Sequence, residues 1–167
     1  VPPNTGRNML GVLDETQSLE YGEVFVQFTE HQLDDGSCED DPKVPTTKIL
    51  VGAVLVTKCP CLHPGDVRKF AAVDIPGLHH VKDCIVFPAK GPRPHPNEMA
   101  GSDLDGDEYI VIWEKDLLFP GNNQPAMVFC DHSSVVPSDD SLEDGMVKFI
   151  CNYIKNDNVG ILSNAHL

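Results

Sequence analysis

The chain has 167 residues, of which 41% are hydrophobic and 23% charged, with a formal net charge of -14. That apolar content supports one domain with a core, or a large piece of one, and excludes wholesale disorder. The acidic balance argues against this piece alone as a nucleic-acid binder, although six of the twelve Lys and Arg residues lie between Lys58 and Arg93; no apolar run reaches the length of a membrane span, and nothing reads as a signal peptide.

The chain opens "VPPNTGRNML" without an initiator methionine, which suggests an excised fragment. "GEVFVQF" at 22–28 predicts a strand with Val24, Val26 and Phe28 on one face. "LDDGSCEDDP" at 33–42 reads as a solvated acidic loop. "KILVGAVLVTK" at 48–58 predicts one long strand, with Gly52 marking a bulge or bend inside it. "CPCLHPGD" at 59–66 is turn chemistry, and "VRKFAAVDI" at 67–75 and "DCIVFP" at 83–88 are further strands. "AKGPRPHPNE" at 89–98 is expected to be irregular, because its three prolines remove donors and fix φ. "EYIVIW" at 108–113 is the next strand. From Leu142 the period changes: Met146, Ile150 and Ile154, with Phe149 and Tyr153, follow helical spacing. Asp140 and Glu143 suggest a capping box, and Gly145 weakens the helix by about 1 kcal/mol relative to alanine. "DNVGILSNAHL" reads as the start of another helix. Short strands with Pro/Gly turns, followed by helices, predict a mainly β chain: a small barrel over 1–136, carrying an acidic insert at about 33–45, and the beginning of a helical region over 137–167.

The six cysteines form no CxxC pair, and "CPC" at 59–61 has the wrong spacing for a zinc knuckle, so they read as reduced thiols of an intracellular protein. The seven histidines form no HExxH. His79 and His80 read as loop residues, and His63 and His95 as donors near a site or structural groups.

The chemistry concentrates in "EMAGSDLDGDEYIVIW", residues 98–113. Alternate residues of an extended segment point the same way, so Asp103, Asp105 and Asp107 can converge, with Gly106 letting the backbone wrap them around a centre. Three packed carboxylates repel one another unless a cation sits between them. All-oxygen ligation is hard-metal chemistry: Mg²⁺, Mn²⁺ or Ca²⁺. A calcium loop counted from Asp103 would need glycine at its sixth position, where Glu108 stands, and helices on both sides, which the flanks do not offer. Mg²⁺ with positions left for water and phosphate suits phosphoryl or nucleotidyl transfer.

These residues carry a family resemblance. "NEMAGSDLDGDEYIV" (97–111) resembles the catalytic loop of the eukaryotic, cell-encoded RNA-dependent RNA polymerases of RNA silencing. "GVLDETQSLEYGEVFVQF" (11–28), "GAVLVTKCPCLHPGDVRKF" (52–70), "DCIVFPAKGPRPHPNEMAGSDLDGD" (83–107) and "GILSNAHL" (160–167) are similar to other blocks of that family, in the same order. The resemblance implies a double-psi β-barrel, the second and aspartate-bearing barrel of a two-barrel polymerase, with the catalytic loop at 97–107 and the chain a fragment of a much larger enzyme. It implies Asp103, Asp105 and Asp107 as catalytic Mg²⁺ ligands, with Mn²⁺ as a substitute. It also implies a single-stranded RNA template and nucleoside triphosphates as partners, with silencing-pathway proteins, in the cytoplasm or nucleus and on no membrane. The isolated fragment is expected to be inactive. Lys58, Arg68, Lys90 and Arg93 are the candidate contacts to nucleotide or RNA, an ion-pair or exposed-surface role standing beside that reading. Leu104 is expected to pack on the barrel, and Glu108 to lie outside the ligand set. Two other readings stay open: a DNA-dependent RNA polymerase large-subunit barrel, which normally reads N-A-D-F-D-G-D, and a non-catalytic calcium-binding module.

Overall fold

A computed structural model describes residues 1–30, 46–129 and 141–166. They fall into two compact units, Val1–Phe129 and Cys130–Leu167, each described here by itself. The acidic insert at about 33–45 and the expected boundary at 136 lie outside the described residues.

The first unit is built from β1 (Gly6–Leu13), β2 (Glu23–Glu30), β3 (Thr46–Ile49), β4 (Gly52–Lys58), β5 (Arg68–Ala72), β6 (Cys84–Phe87) and β7 (Glu108–Ile112). Hydrogen bonding runs β3-β2-β5-β4-β7-β1-β6, and β6 pairs back onto β2. Six strands therefore close into a barrel, leaving β3 outside as an extra antiparallel strand on β2. Two pairs are parallel, β1 with β6 and β2 with β5, and the remaining barrel pairs are antiparallel. This closed six-stranded barrel is the double-psi β-barrel that the family resemblance implies.

Alternation explains the core. Val24, Val26 and Phe28 face inward with Val54, Val56 and Phe87. Each such side chain contributes about 1.5–3 kcal/mol on full burial. The other face of β2 is covered as well: Phe25 packs with Leu19, Leu78 and Val86 in a second cluster.

Four local expectations are corrected. β1 was not foreseen, because "GRNMLGVL" carries two glycines and mixed polar residues with low strand preference. The run 48–58 is not one strand. Gly52 takes φ +118, which favours glycine, and the chain turns there so that β3 serves β2 while β4 serves β5 and β7. The proline-rich 89–98 segment ends in a one-turn helix, α1 (His95–Glu98). Pro96 fits there because the first helical turn has no use for its missing N–H. In the second unit, α2 (Leu142–Asn156) is capped by Ser141, whose Oγ accepts from Asp144 N at 3.3 Å; Asp140 lies outside the described residues. α3 (Val159–His166) follows.

Gly11 shows how tightly β1 supports the next loop. A Cβ there would meet Tyr109 Cε2 at 2.4 Å and Leu104 Cδ2 at 2.8 Å, and Gly11 N donates to Asp107 O at 3.1 Å. Gly11→Ala is expected to cost about 1–3 kcal/mol by overpacking, read from urea denaturation of the chain. A change under a few tenths would show that the Tyr109 ring yields freely.

Candidate metal centre

The aspartates lie on the loop between α1 and β7. Asp103, Asp105 and Asp107 each offer a carboxylate oxygen, and these oxygens lie within 4.8 Å of one another. Gly106 takes φ +126, the conformation that lets the loop curl its carboxylates together. Leu104 turns the other way and packs against the core. The loop is held from beneath by Tyr109, whose hydroxyl shares its proton between Asp103 O at 2.7 Å and Ser102 Oγ at 3.0 Å. Ser102 Oγ in turn donates to Pro96 O at 2.6 Å. Burial pushes the Tyr109 phenol up to about 12, with the nearby aspartates adding to it, so it remains a donor at working pH.

The three carboxylates are electrostatically unlike. Asp103, by hydrogen bond and by like charge, raises Asp105 above the usual carboxylate range. Lys58, at the end of β4, donates to Asp107 and holds it below that range, helped by Asp103 N donating to Asp107 Oδ2 at 3.1 Å. One lysine thus satisfies one aspartate and leaves the Asp103–Asp105 pair in repulsion. A hard divalent cation is the charge that would relieve it, and three oxygen donors with open positions fit Mg²⁺ or Mn²⁺. Lys58, Cys59, Gly106, Asp107 and Glu108 line one open cleft of about 440 Å³ beside the loop. Glu108 is exposed and accepts from Asn8 Nδ2.

Of the basic residues singled out in the sequence, Lys58 touches an aspartate of the cluster. Arg68 is buried, with Nε 2.9 Å from Glu98 Oε2, although the N–H is aimed too far off that line for a formed hydrogen bond. Lys90 pairs with Glu20. Arg93 donates to Asn97 Oδ1 at 2.8 Å and to the carbonyls of Asn97 and Met127. Both histidines are built into the frame. His63 Nδ1 accepts from Gly65 N at 3.0 Å and caps the turn at 64–66. His95 Nε2 accepts from Gly22 N at 2.9 Å, so its proton sits on Nδ1 and is given to Glu98 Oε2 at 2.6 Å. Cys59, Cys61, Cys84 and Cys151 are free thiols.

Burial lowers the His95 pKa from its ordinary 6.5, outweighing the neighbouring Glu98 carboxylate. The unfolded chain therefore takes up a proton near pH 6.5 that the folded chain refuses. Stability is present above that value and is lost as pH falls below it. The melting temperature is expected to drop between pH 7.5 and 5.5, less steeply in His95→Gln. Parallel pH profiles for the two proteins would show that His95 contributes nothing to the slope.

Sequence reasoning missed the buried acids that hold these loops. Glu98 accepts from Tyr21 Oη at 2.7 Å as well as from His95. Asp66 accepts three backbone N–H groups, from Leu62, His63 and Ala100. Asp14 accepts from Thr16 N, Thr16 Oγ and Leu19 N; burial alone would raise it, and these bonds outweigh burial and keep it low. An acid next to turn residues is the only sequence signal these three share.

Comparison with known proteins decides what the loop belongs to. A family model described as RNA dependent RNA polymerase matches residues 1–167. The chain belongs to the RNA-dependent RNA polymerase family. It is 46% identical over 162 residues to RNA-dependent RNA polymerase 1 of Arabidopsis thaliana, covering 96% of this chain and 14% of that protein. It is 40% identical over 174 residues to RNA-dependent RNA polymerase 1 of Schizosaccharomyces pombe, covering 96% of this chain and 14% of that one. Among solved structures, RNA dependent RNA polymerase QDE-1 from Thielavia terrestris superposes with a TM-score of 0.61 at 33% identity, over 76% of this chain and 13% of that chain. The polymerase segment thus spans about one seventh of the length of these relatives. Its motif "LDETQSLEYG" is, structurally, the Asp14 turn leading into β2; its motif "HPGD" is the His63-capped turn closed by Asp66. No helix among the described residues is long and apolar enough to cross a membrane.

Proposed function

We propose that this polymerase segment is the catalytic barrel of an RNA-dependent RNA polymerase, and that Asp103, Asp105 and Asp107 hold the divalent cation of nucleotidyl transfer. The convergence of three oxygen ligands within 4.8 Å, in a chain of this family, carries the reading. Mg²⁺, or Mn²⁺ in its place, would supply an activated 3′-hydroxyl and a neutralised pyrophosphate leaving group. The chain's own part is to aim the carboxylates. Tyr109 fixes the Asp103 carbonyl, Gly11 N fixes that of Asp107, and Lys58 keeps Asp107 ionised. Lys58 is also placed to meet a nucleotide phosphate if a cation takes its share of Asp107. Arg68, buried against Glu98, acts in this reading through the protein, whereas Lys90, in a half-exposed pair with Glu20, and Arg93 stay candidate contacts to RNA.

The substrates of the full-length enzyme are a single-stranded RNA template and nucleoside triphosphates, and its product is complementary or double-stranded RNA. Its setting in this reading is intracellular small-RNA silencing with partners from that pathway, which rests on the family resemblance of the motifs at 11–28, 52–70 and 83–107. Residues 1–136 form the barrel with its insert and 137–167 begin a helical region of the larger protein. The test is nucleotide incorporation on single-stranded RNA by the full-length parent. Synthesis is expected with Mg²⁺ or Mn²⁺ and not with Ca²⁺. Equal or exclusive response to Ca²⁺ would replace the polymerase reading by a calcium-binding one, and strict dependence on a DNA template would favour a DNA-dependent enzyme.

A further inference from the structure

We propose that Asp66 is a positioning residue for the metal loop, tying the turn after β4 to the backbone that delivers Asp103. This rests on the assignment of Asp103, Asp105 and Asp107 as metal ligands.

Asp66 is 2% exposed, and both carboxylate oxygens are committed. Oδ2 accepts from Leu62 N at 3.2 Å and His63 N at 2.9 Å, which closes the turn locally. Oδ1 reaches across 34 residues to Ala100 N at 3.0 Å. The turn has no need of that second bond for its own closure, since the local N–H groups and the His63 cap already close it.

Ala100 is an unusual recipient. It takes φ +56 and Gly101 follows at φ +67, so two successive left-handed residues reverse the chain before the aspartates. An alanine rarely adopts that conformation unless its surroundings hold it there. Only Gly101 and Ser102 separate Ala100 from Asp103, and the Ser102 side chain is bonded to Pro96 O and Tyr109 Oη. There is no slack in which a movement of Ala100 could be absorbed before Asp103.

The same turn grips the other end of the loop. Lys58, at its start, pairs with Asp107; Asp66, near its end, holds Ala100. Residues 58–66 therefore clamp the metal loop on both sides of its three carboxylates. The turn itself is seated from outside: a Cβ on Gly65 would lie 2.3 Å from Pro125 O, so it cannot drift that way. Groups that orient metal ligands from behind typically change metal affinity or activity by about 10–100-fold when removed.

The experiment uses the full-length parent with Asp66→Ala, Asp66→Asn and His63→Ala. Mn²⁺ binding is followed by EPR titration, beside melting temperature, the Mg²⁺ concentration for half-maximal incorporation, kcat, and KM for template. Asp66→Ala is expected to weaken Mn²⁺ binding and raise the Mg²⁺ requirement about 10–100-fold, with lower kcat and unchanged template KM. Asp66→Asn keeps one acceptor oxygen and is expected to show a smaller change in the same direction. His63→Ala removes the turn's own cap and is expected to lower the melting temperature with wild-type metal dependence. Wild-type Mn²⁺ binding and Mg²⁺ requirement in folded Asp66→Ala, or in Asp66→Asn if the alanine variant does not fold, would overturn the proposal. So would an equal loss of metal affinity in His63→Ala. Retained Mn²⁺ binding and synthesis in Asp105→Ala would instead sink the ligand assignment itself.

Discussion

Asp105→Ala in the full-length polymerase is expected to reduce RNA-templated nucleotide incorporation by about a thousandfold or more, with no fall in melting temperature. The size follows from the charge that develops in the transition state. A metal that stabilises it supplies several kcal/mol, and about 4 kcal/mol corresponds to a thousandfold in rate. Asp105 is one of three ligands, and its neighbours cannot replace it. Asp107 Oδ2 already accepts from Lys58 Nζ and from Asp103 N, and Asp103 has only its own carboxylate to give. The fold should not notice the change, because the Asp105 side chain is exposed and, before a cation binds, suffers the repulsion of Asp103. Relief of that repulsion predicts an unchanged or higher melting temperature. Asp105→Asn separates the two effects: it removes the charge and keeps an oxygen donor, so it should relieve the repulsion equally and lose somewhat less activity. Incorporation within tenfold of wild type by Asp105→Ala would remove the triad from the mechanism.

The site was more legible in the sequence than its support. Three aspartates at alternate positions around Gly106 announce convergent ligands through local geometry alone, and the structure brings their oxygens together. β2, β5, β6 and β7 were also read as strands, from short runs rich in β-branched and aromatic residues between turn signals, although β5 alternates only in part and β6 is buried continuously. What the sequence hid is non-local. β1 belongs to the barrel through its pairing with β6 and β7 and not through its own residues. Nothing local marks Glu98 and Asp66 as buried acids, because the fold carries Arg68, Tyr21 and Ala100 to them from 30 to 77 residues away. The basic residues illustrate the same limit. Lys58 and Arg68 look alike beside the same turn, yet one ends a strand facing the aspartates and the other points inward to a buried carboxylate.

That buried carboxylate supports the second large effect. Glu98→Ala is expected to destabilise the barrel by about 3–5 kcal/mol, the usual consequence of leaving a buried partner charge uncompensated. Glu98 is 5% exposed and Arg68 8%. Without the carboxylate, the guanidinium keeps, among the described residues, the Gly65 and Gln124 carbonyls, both at a weak 3.4 Å. Tyr21 Oη and His95 Nδ1 lose their acceptor at the same time. Glu98→Gln discriminates charge from hydrogen bonding. Gly22 N–H pins His95 as the Nδ1–H tautomer, so the amide oxygen must face His95 and the amide nitrogen must face Tyr21 Oη, which can accept. Both neutral contacts survive, and only the counter-charge for Arg68 is lost. Glu98→Gln should therefore cost less than Glu98→Ala, and adding Arg68→Met should recover part of the loss in either background, because the stranded charge is then gone. Urea midpoints of the four variants and the parent chain measure each difference. A cost below 1 kcal/mol for Glu98→Ala, or no recovery on adding Arg68→Met, would mean that water reaches Arg68 and that the ion pair is not what holds α1 beneath the metal loop.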